Sequence, residues 1–143
     1  MNFMNEALFE AQKAFDQNEI PIGAVIVHNG KIIAKAHNMC EKYNNPLMHA
    51  EIVCLMNAYE KHNTKMLDEC EMYVTVEPCP MCAGAILNSR IKRLYIGCPE
   101  PKSGAFGSVI NISEFSVHKC EVYFGFSEDE SKNLMKNFFK NKR

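Results

Sequence analysis

EMYVTVEPCPMCAGAIL, residues 71–87, changes character midway. Its first half, Glu71 to Glu77, is a β-branched and aromatic run that reads as a strand. Pro78 and Pro80 bracket Cys79 and hold it extended, while Pro80 suits the first position of a short helix. The stretch therefore predicts strand, cap and helix in succession, with Cys79 at the cap and Cys82 in the first turn. Both sulfurs then point at one spot beyond the helix N-terminus, where the helix dipole and free N–H groups favour thiolate over thiol. Taken alone, that geometry suits a metal, a redox pair or plain packing.

Working outward, the flanking segments alternate in period. Met4, Ala7, Leu8, Ala11 and Phe15 recur at helical spacing, predicting an amphipathic helix that ends before Pro21. IPIGAVIVH and KIIAKAH flank Asn29-Gly30, a hairpin signal because both central positions of a tight primed turn need positive φ. From Ala50 to about Lys61, Ile52, Leu55, Met56 and Tyr59 predict a second helix. Beyond the two cysteines come strands KRLYIG and CEVYFG. Ser127 and Glu130 then form an S-x-x-E capping box ahead of a helix carrying Leu134, Met135, Phe138 and Phe139 on one side. Strands alternating with helices predict one sheet covered on both faces, a three-layer α/β/α domain over residues 1–143.

Composition narrows the function classes. The 143 residues contain seven cysteines without regular spacing, which does not read as a disulfide framework. Glu6, Glu10, Lys13 and Asp16 interrupt the first apolar residues, so no signal peptide or membrane span is expected and a cytoplasmic setting follows. A net charge of -1 gives no global case for nucleic-acid binding; such a case must rest on local patches.

The residues that discriminate among the readings of Cys79 and Cys82 lie in LMHAEIVCL, residues 47–55. His49 opens the second helix and Glu51 follows two residues later. Residues two apart on a regular helix do not face each other, so the pair shares a site only if His49 sits at the helix entry. A histidine and two thiolates make three zinc ligands, and a catalytic zinc keeps its fourth position for water. Glu51 then stands beside that water as general acid and base. A closed structural site would instead need a fourth ligand, with Cys54, Cys98 and His37 the arithmetic candidates. H-x-E followed by P-C-x-x-C is the signature of zinc-dependent nucleobase deaminases.

Over essentially its whole length the chain resembles the bacterial tRNA-specific adenosine deaminases. IPIGAVIV, His37-Asn38, HAEI, VEPCPMCAGAI with the following SRI, and the terminal FFK fall in the family's order. HAE and PCxxC are shared with cytosine, guanine and cytidylate deaminases; KSGAFGS, Lys102 to Ser108, looks like the tRNA enzymes' own loop. The resemblance implies a homodimeric cytidine-deaminase-like fold with a mixed five-stranded sheet, a zinc ion on His49, Cys79 and Cys82, and catalysis by Glu51. It implies conversion of the wobble adenosine of a tRNA anticodon arm to inosine, with substrate contacts at Asn38, Ala50, Glu100, Lys102, Phe139 and Arg143. The sequence departs from the family pattern at Glu100, commonly Asp, at Met39, often Arg, and at Leu47-Met48, commonly Thr-Ala. The other readings are a deaminase of a free base or nucleotide and a non-catalytic zinc-stabilised binding module.

Charge adds a local argument. Lys132, Lys136, Lys140, Lys142 and Arg143 put five positive charges and no negative ones in the last twelve residues, the first three recurring every fourth residue. Such a stripe reads as a solvated face or as a phosphate-tracking surface. Arg90, Lys92 and Arg93 form a second cluster.

Overall fold

The computed structural model describes residues 2–142. In chain order its elements are α1 (Phe3–Asp16), β1 (Gly23–His28), β2 (Lys31–His37), α2 (Ala50–Lys61), β3 (Cys70–Val76), α3 (Pro80–Asn88), β4 (Arg93–Cys98), a 3-10 turn (Ile112–Phe115), β5 (Glu121–Tyr123) and α4 (Glu128–Lys140). Each element expected from the sequence forms. The five strands make one sheet in the order β2-β1-β3-β4-β5. β1 pairs antiparallel with β2 and β3, whereas β3, β4 and β5 run parallel, so the sheet is mixed. No helix among the described residues is long and apolar enough to cross a membrane.

Alternate residues of β1 serve two layers. Ala24 and Ile26 pack with α2 and α3, while Val25 and Val27 pack with Met4 and Ala7 of α1. β1 is thus buried on both sides, and α4 completes the second face against β4. Asn29 and Gly30 take φ of 50° and 73°, the positive values a two-residue primed turn requires. The α1 layer lies close to the sheet: a Cβ at Gly23 would come within 2.0 Å of the Ala7 carbonyl oxygen. Only glycine permits that approach.

Three local expectations are corrected. The sheet-facing stripe of α2 is Ala50, Glu51, Cys54, Leu55 and Ala58; Ile52 and Tyr59 are half-buried and Met56 is exposed. Small residues let the helix axis approach the strands, which turns the larger side chains to the flanks. The capping box does not form, because Ser127 adopts φ 57° and ψ 45° and its side chain makes no cap hydrogen bond. The chain must turn sharply after Gly125, and that tertiary demand sets the backbone there. On α4, Ser131, Leu134, Met135 and Phe138 turn inward to varying depth, while Phe139 is exposed and does not share their face.

Candidate active site

Two helix N-termini converge at the end of β3. His49 is the N-cap of α2, with extended φ −67° and ψ 152°, and Cys79 is the N-cap of α3, extended between its prolines. The break in helical geometry at His49 allows it to share a site with Glu51. His49 Nδ1 lies 3.6 Å from Cys79 Sγ and 3.5 Å from Cys82 Sγ. A tetrahedral ion with bonds of about 2.3 Å to sulfur and about 2.0–2.1 Å to nitrogen places N and S about 3.6 Å apart. Both nitrogen–sulfur distances therefore fit a tetrahedral metal, and all three donor atoms lie within 4.8 Å of one another. They are the one such cluster of three among the described residues.

Electrostatics also favours a cation there. Hydrogen bonds from Cys82 and His49 pull the Cys79 thiol down to about 4 against the cost of burial. Cys82, hydrogen-bonded to Cys79 and buried, is pushed up. His49 is raised by its bond to Cys79, against its own burial, and by the Glu51 charge. The sulfur pair thus holds one negative charge readily, and a second deprotonation calls for a positive ion.

The fourth-ligand candidates are engaged elsewhere. His37 Nδ1 is 2.9 Å from Glu10 Oε1, Cys54 points at the Ala24 carbonyl, and Cys98 is buried at the end of β4. Three donors with no fourth from the protein would leave one position of a bound zinc ion open, as catalytic sites do. Glu51 is 3% exposed and lines the same cavity. Burial, reinforced by the Cys79 charge, pushes its carboxyl up to about 7. A carboxyl poised there accepts and returns protons near neutral pH.

The cavity has a volume of about 510 Å³. One wall comes from Glu100, Lys102 and Ser103, and another from Met135, Lys136 and Phe139 of α4. A neighbouring cavity of about 440 Å³ shares Ile20, Ile22 and His49 and holds Asn38, Cys40 and Lys142. The residues singled out in the sequence therefore separate. His49, Cys79, Cys82 and Glu51 come together, Glu100, Lys102 and Phe139 line the same cavity, and Asn38 lies in the adjoining one. The Ala50 side chain belongs to the hydrophobic core, leaving its main chain for any contact. Arg143 lies outside the described residues. Arg93 is held by Glu71 at 3.1 Å and Glu121 at 3.2 Å, and Lys132 by Glu128 at 2.6 Å. Sequence reasoning missed Ile20, Ile22, Ser103 and Glu77 as cavity residues. Glu77 alone carried a signal, a charged residue closing an apolar strand beside the cysteine motif.

Fold and site together define a deaminase: a three-layer α/β/α domain with a metal-competent His-Cys-Cys cluster and a buried carboxylate beside it. The profile of the MafB19-like deaminase family matches residues 1–143. The tRNA-specific adenosine deaminase of Rickettsia typhi is 44% identical over 144 residues, covering 98% of this chain and 97% of that one. The tRNA-specific adenosine deaminase of Bacillus subtilis is 41% identical over 143 residues, covering 99% and 89%. A structure solved in work on A-to-I editing by tRNA:A34 deaminases at the wobble position superposes with a TM-score of 0.90 at 41% identity, covering 92% of this chain and 97% of that one. The chain belongs to the MafB19-like deaminase family and to the tRNA-specific adenosine deaminases.

Proposed function

We propose that the protein is a zinc-dependent hydrolase that converts adenosine to inosine at the wobble position of a tRNA anticodon. The observation that carries this reading is the His49, Cys79 and Cys82 cluster, with Glu51 beside it, at a cavity walled by Lys102 and Lys136. The borderline-soft N and S donors suit zinc. When bound there, zinc supplies a Lewis acid that brings water close to deprotonation at neutral pH. Glu51 takes the proton of the attacking water and delivers it to the adenine ring nitrogen. As the water oxygen bonds to C6, Glu51 passes the second proton from that oxygen to the amino group, so that the C6–N bond breaks, ammonia leaves and inosine remains.

The cavity walls support an RNA substrate. Lys102 and Lys136 suit backbone phosphate, Glu100 suits a ribose 2′-OH and Phe139 a stacked base. Asn38, in the adjoining chamber, is assigned to the purine, and Ala50 to a main-chain contact. The domain spans residues 1–143 and works as a homodimer in the cytoplasm, a reducing setting consistent with its free cysteines. Incubating the zinc-loaded protein with a panel of tRNA transcripts and free bases tests the reading. Inosine at the wobble position of a tRNA is expected; ammonia from a free base with none from RNA would replace it with the free-base reading.

A further inference from the structure

Glu77 is a buried carboxylate, 3% exposed, that the reaction scheme does not use. It follows β3 and precedes Pro78 and Cys79, so its backbone is part of the arm that carries a metal ligand. Its side chain turns to a different segment. Oε1 accepts from the Glu100 N–H at 3.0 Å, and Oε2 accepts from the N–H groups of Phe106 at 3.0 Å and Ser108 at 3.2 Å. The Ser108 hydroxyl donates to Oε1 as well. All four donors belong to residues 100–108, the loop whose Glu100, Lys102 and Ser103 wall the cavity. Gly104 lies against the same carboxylate: a Cβ there would come within 2.4 Å of Cδ and of Oε1. Two backbone bonds parallel the side-chain ones, from Glu77 N–H to the Cys98 carbonyl and from Ala105 N–H to the Pro78 carbonyl, each at 2.9 Å.

We infer that Glu77 is a positioning residue, which fixes loop 100–108 against the Cys79 arm and so sets where the RNA nucleotide sits relative to the metal ligands. This rests on the RNA reading of the site. It divides the KSGAFGS loop by role: Lys102 and Ser103 face the cavity, while Gly104, Phe106 and Ser108 face Glu77. A carboxylate is suited to the task because it is purely an acceptor, with room on two oxygens for four donors. Glutamine fills the same volume with one accepting oxygen. Whichever way its amide is turned, the NH2 group faces a backbone N–H, that of Glu100 on one side or those of Phe106 and Ser108 on the other.

The test uses zinc-loaded Glu77→Gln and, since it removes a single donor at the surface end of the loop, Ser108→Ala. Glu77→Gln is expected to keep its zinc while the Phe106 and Ser108 amides exchange hydrogen faster than in the parent. Its KM for an anticodon-arm RNA should rise by about tenfold with a smaller change in kcat, the pattern of lost ground-state positioning. Ser108→Ala should move KM the same way by a smaller factor. Either substitution combined with Lys102→Ala should cost much less than the sum of the two, because all act through one loop. Unchanged amide exchange, or fully additive effects with Lys102→Ala, overturns the inference. If Glu77→Gln fails to fold, Ser108→Ala decides by the same two measurements. A parent protein that deaminates only free bases removes the RNA reading, while the exchange experiment still reports whether Glu77 holds the loop.

Discussion

Four glutamates are buried among the described residues, and their partners separate their roles. Glu19 accepts from the N–H groups of Glu41 and Lys42, at 3.0 and 2.8 Å, and Glu77 accepts from loop 100–108. Glu10 meets His37 at 2.9 Å and Lys13 at 2.8 Å. Glu51 has no comparable ring of donors from other elements, so burial raises its pKa to about 7. A buried carboxyl left poised to gain a proton supports the proposed catalytic role of Glu51. Glu51→Ala is therefore expected to keep zinc and fold while losing at least about 10²–10⁴ in turnover. Cys79→Ala and Cys82→Ala should lose stable zinc binding and unfold at lower temperature, since ligand energy is coupled to folding. Metal analysis separates the two classes; loss of zinc from Glu51→Ala would make Glu51 a ligand. Glu10 gives a pH prediction. Burial pushes its carboxyl up, but hydrogen bonds and charge from His37 and Lys13 prevail and hold it below its ordinary 4.5. A depressed folded pKa adds stability that is present above 4.5 and lost as pH falls through the lower folded value. The gap in thermal midpoint between the parent and Glu10→Gln should therefore narrow as pH is lowered from about 5 to about 3. A constant gap would show that the pair contributes nothing through ionisation.

Helix α4 shows how one element serves core and cavity together. Phe138 seats in the core side and meets Phe15 edge-on with ring centroids 6.0 Å apart, while Lys136 and Phe139 reach the cavity wall. Lys132 is paired with Glu128, so the basic stripe begins in effect at Lys136. Replacing Lys136, Lys140, Lys142 and Arg143 with Ser should leave zinc and folding intact and weaken tRNA binding most at low salt. Each phosphate contact contributes roughly 0.7–0.9 to the slope of log affinity against log salt, so the variant's slope should be flatter. An unchanged affinity and slope would make the stripe a solvated face. Elements with local determinants were legible in the sequence: the Asn29-Gly30 turn, and Cys79 between two prolines. The facing of α2 was not, because its contact with the sheet is made by Ala50, Cys54 and Ala58, whose small size carries little periodic signal. Nor was the start of α4, where tertiary geometry places Ser127 in a left-handed conformation.

At the scale of the molecule, the meeting of His49, Cys79 and Cys82 was legible because residue type and helix entry limit what the three can do together. The support behind the cavity wall was not: Glu77 meets Ser108 across 31 residues, and no local pattern encodes where a loop returns. Ala83, Gly84 and Ala85 put small side chains on α3. Ala83 is buried within the chain, but a Cβ built on Gly84 meets no atom within 4 Å. Packing inside one subunit therefore does not explain a glycine at that position. A hollow beside it is lined by Leu87, Ile112, Phe115 and Val117, the last two 83% and 95% exposed. A second copy placed there would cover this exposed apolar surface, which supports the proposed homodimer. The homodimer is proposed through this face. Sedimentation should find the parent dimeric and Phe115→Ser/Val117→Ser shifted towards monomer with unchanged zinc content, because the substitutions weaken apolar contact without touching the ligands. A concentrated parent that sediments as a strict monomer rules out the dimer. A double variant that remains as dimeric as the parent moves the interface to another face.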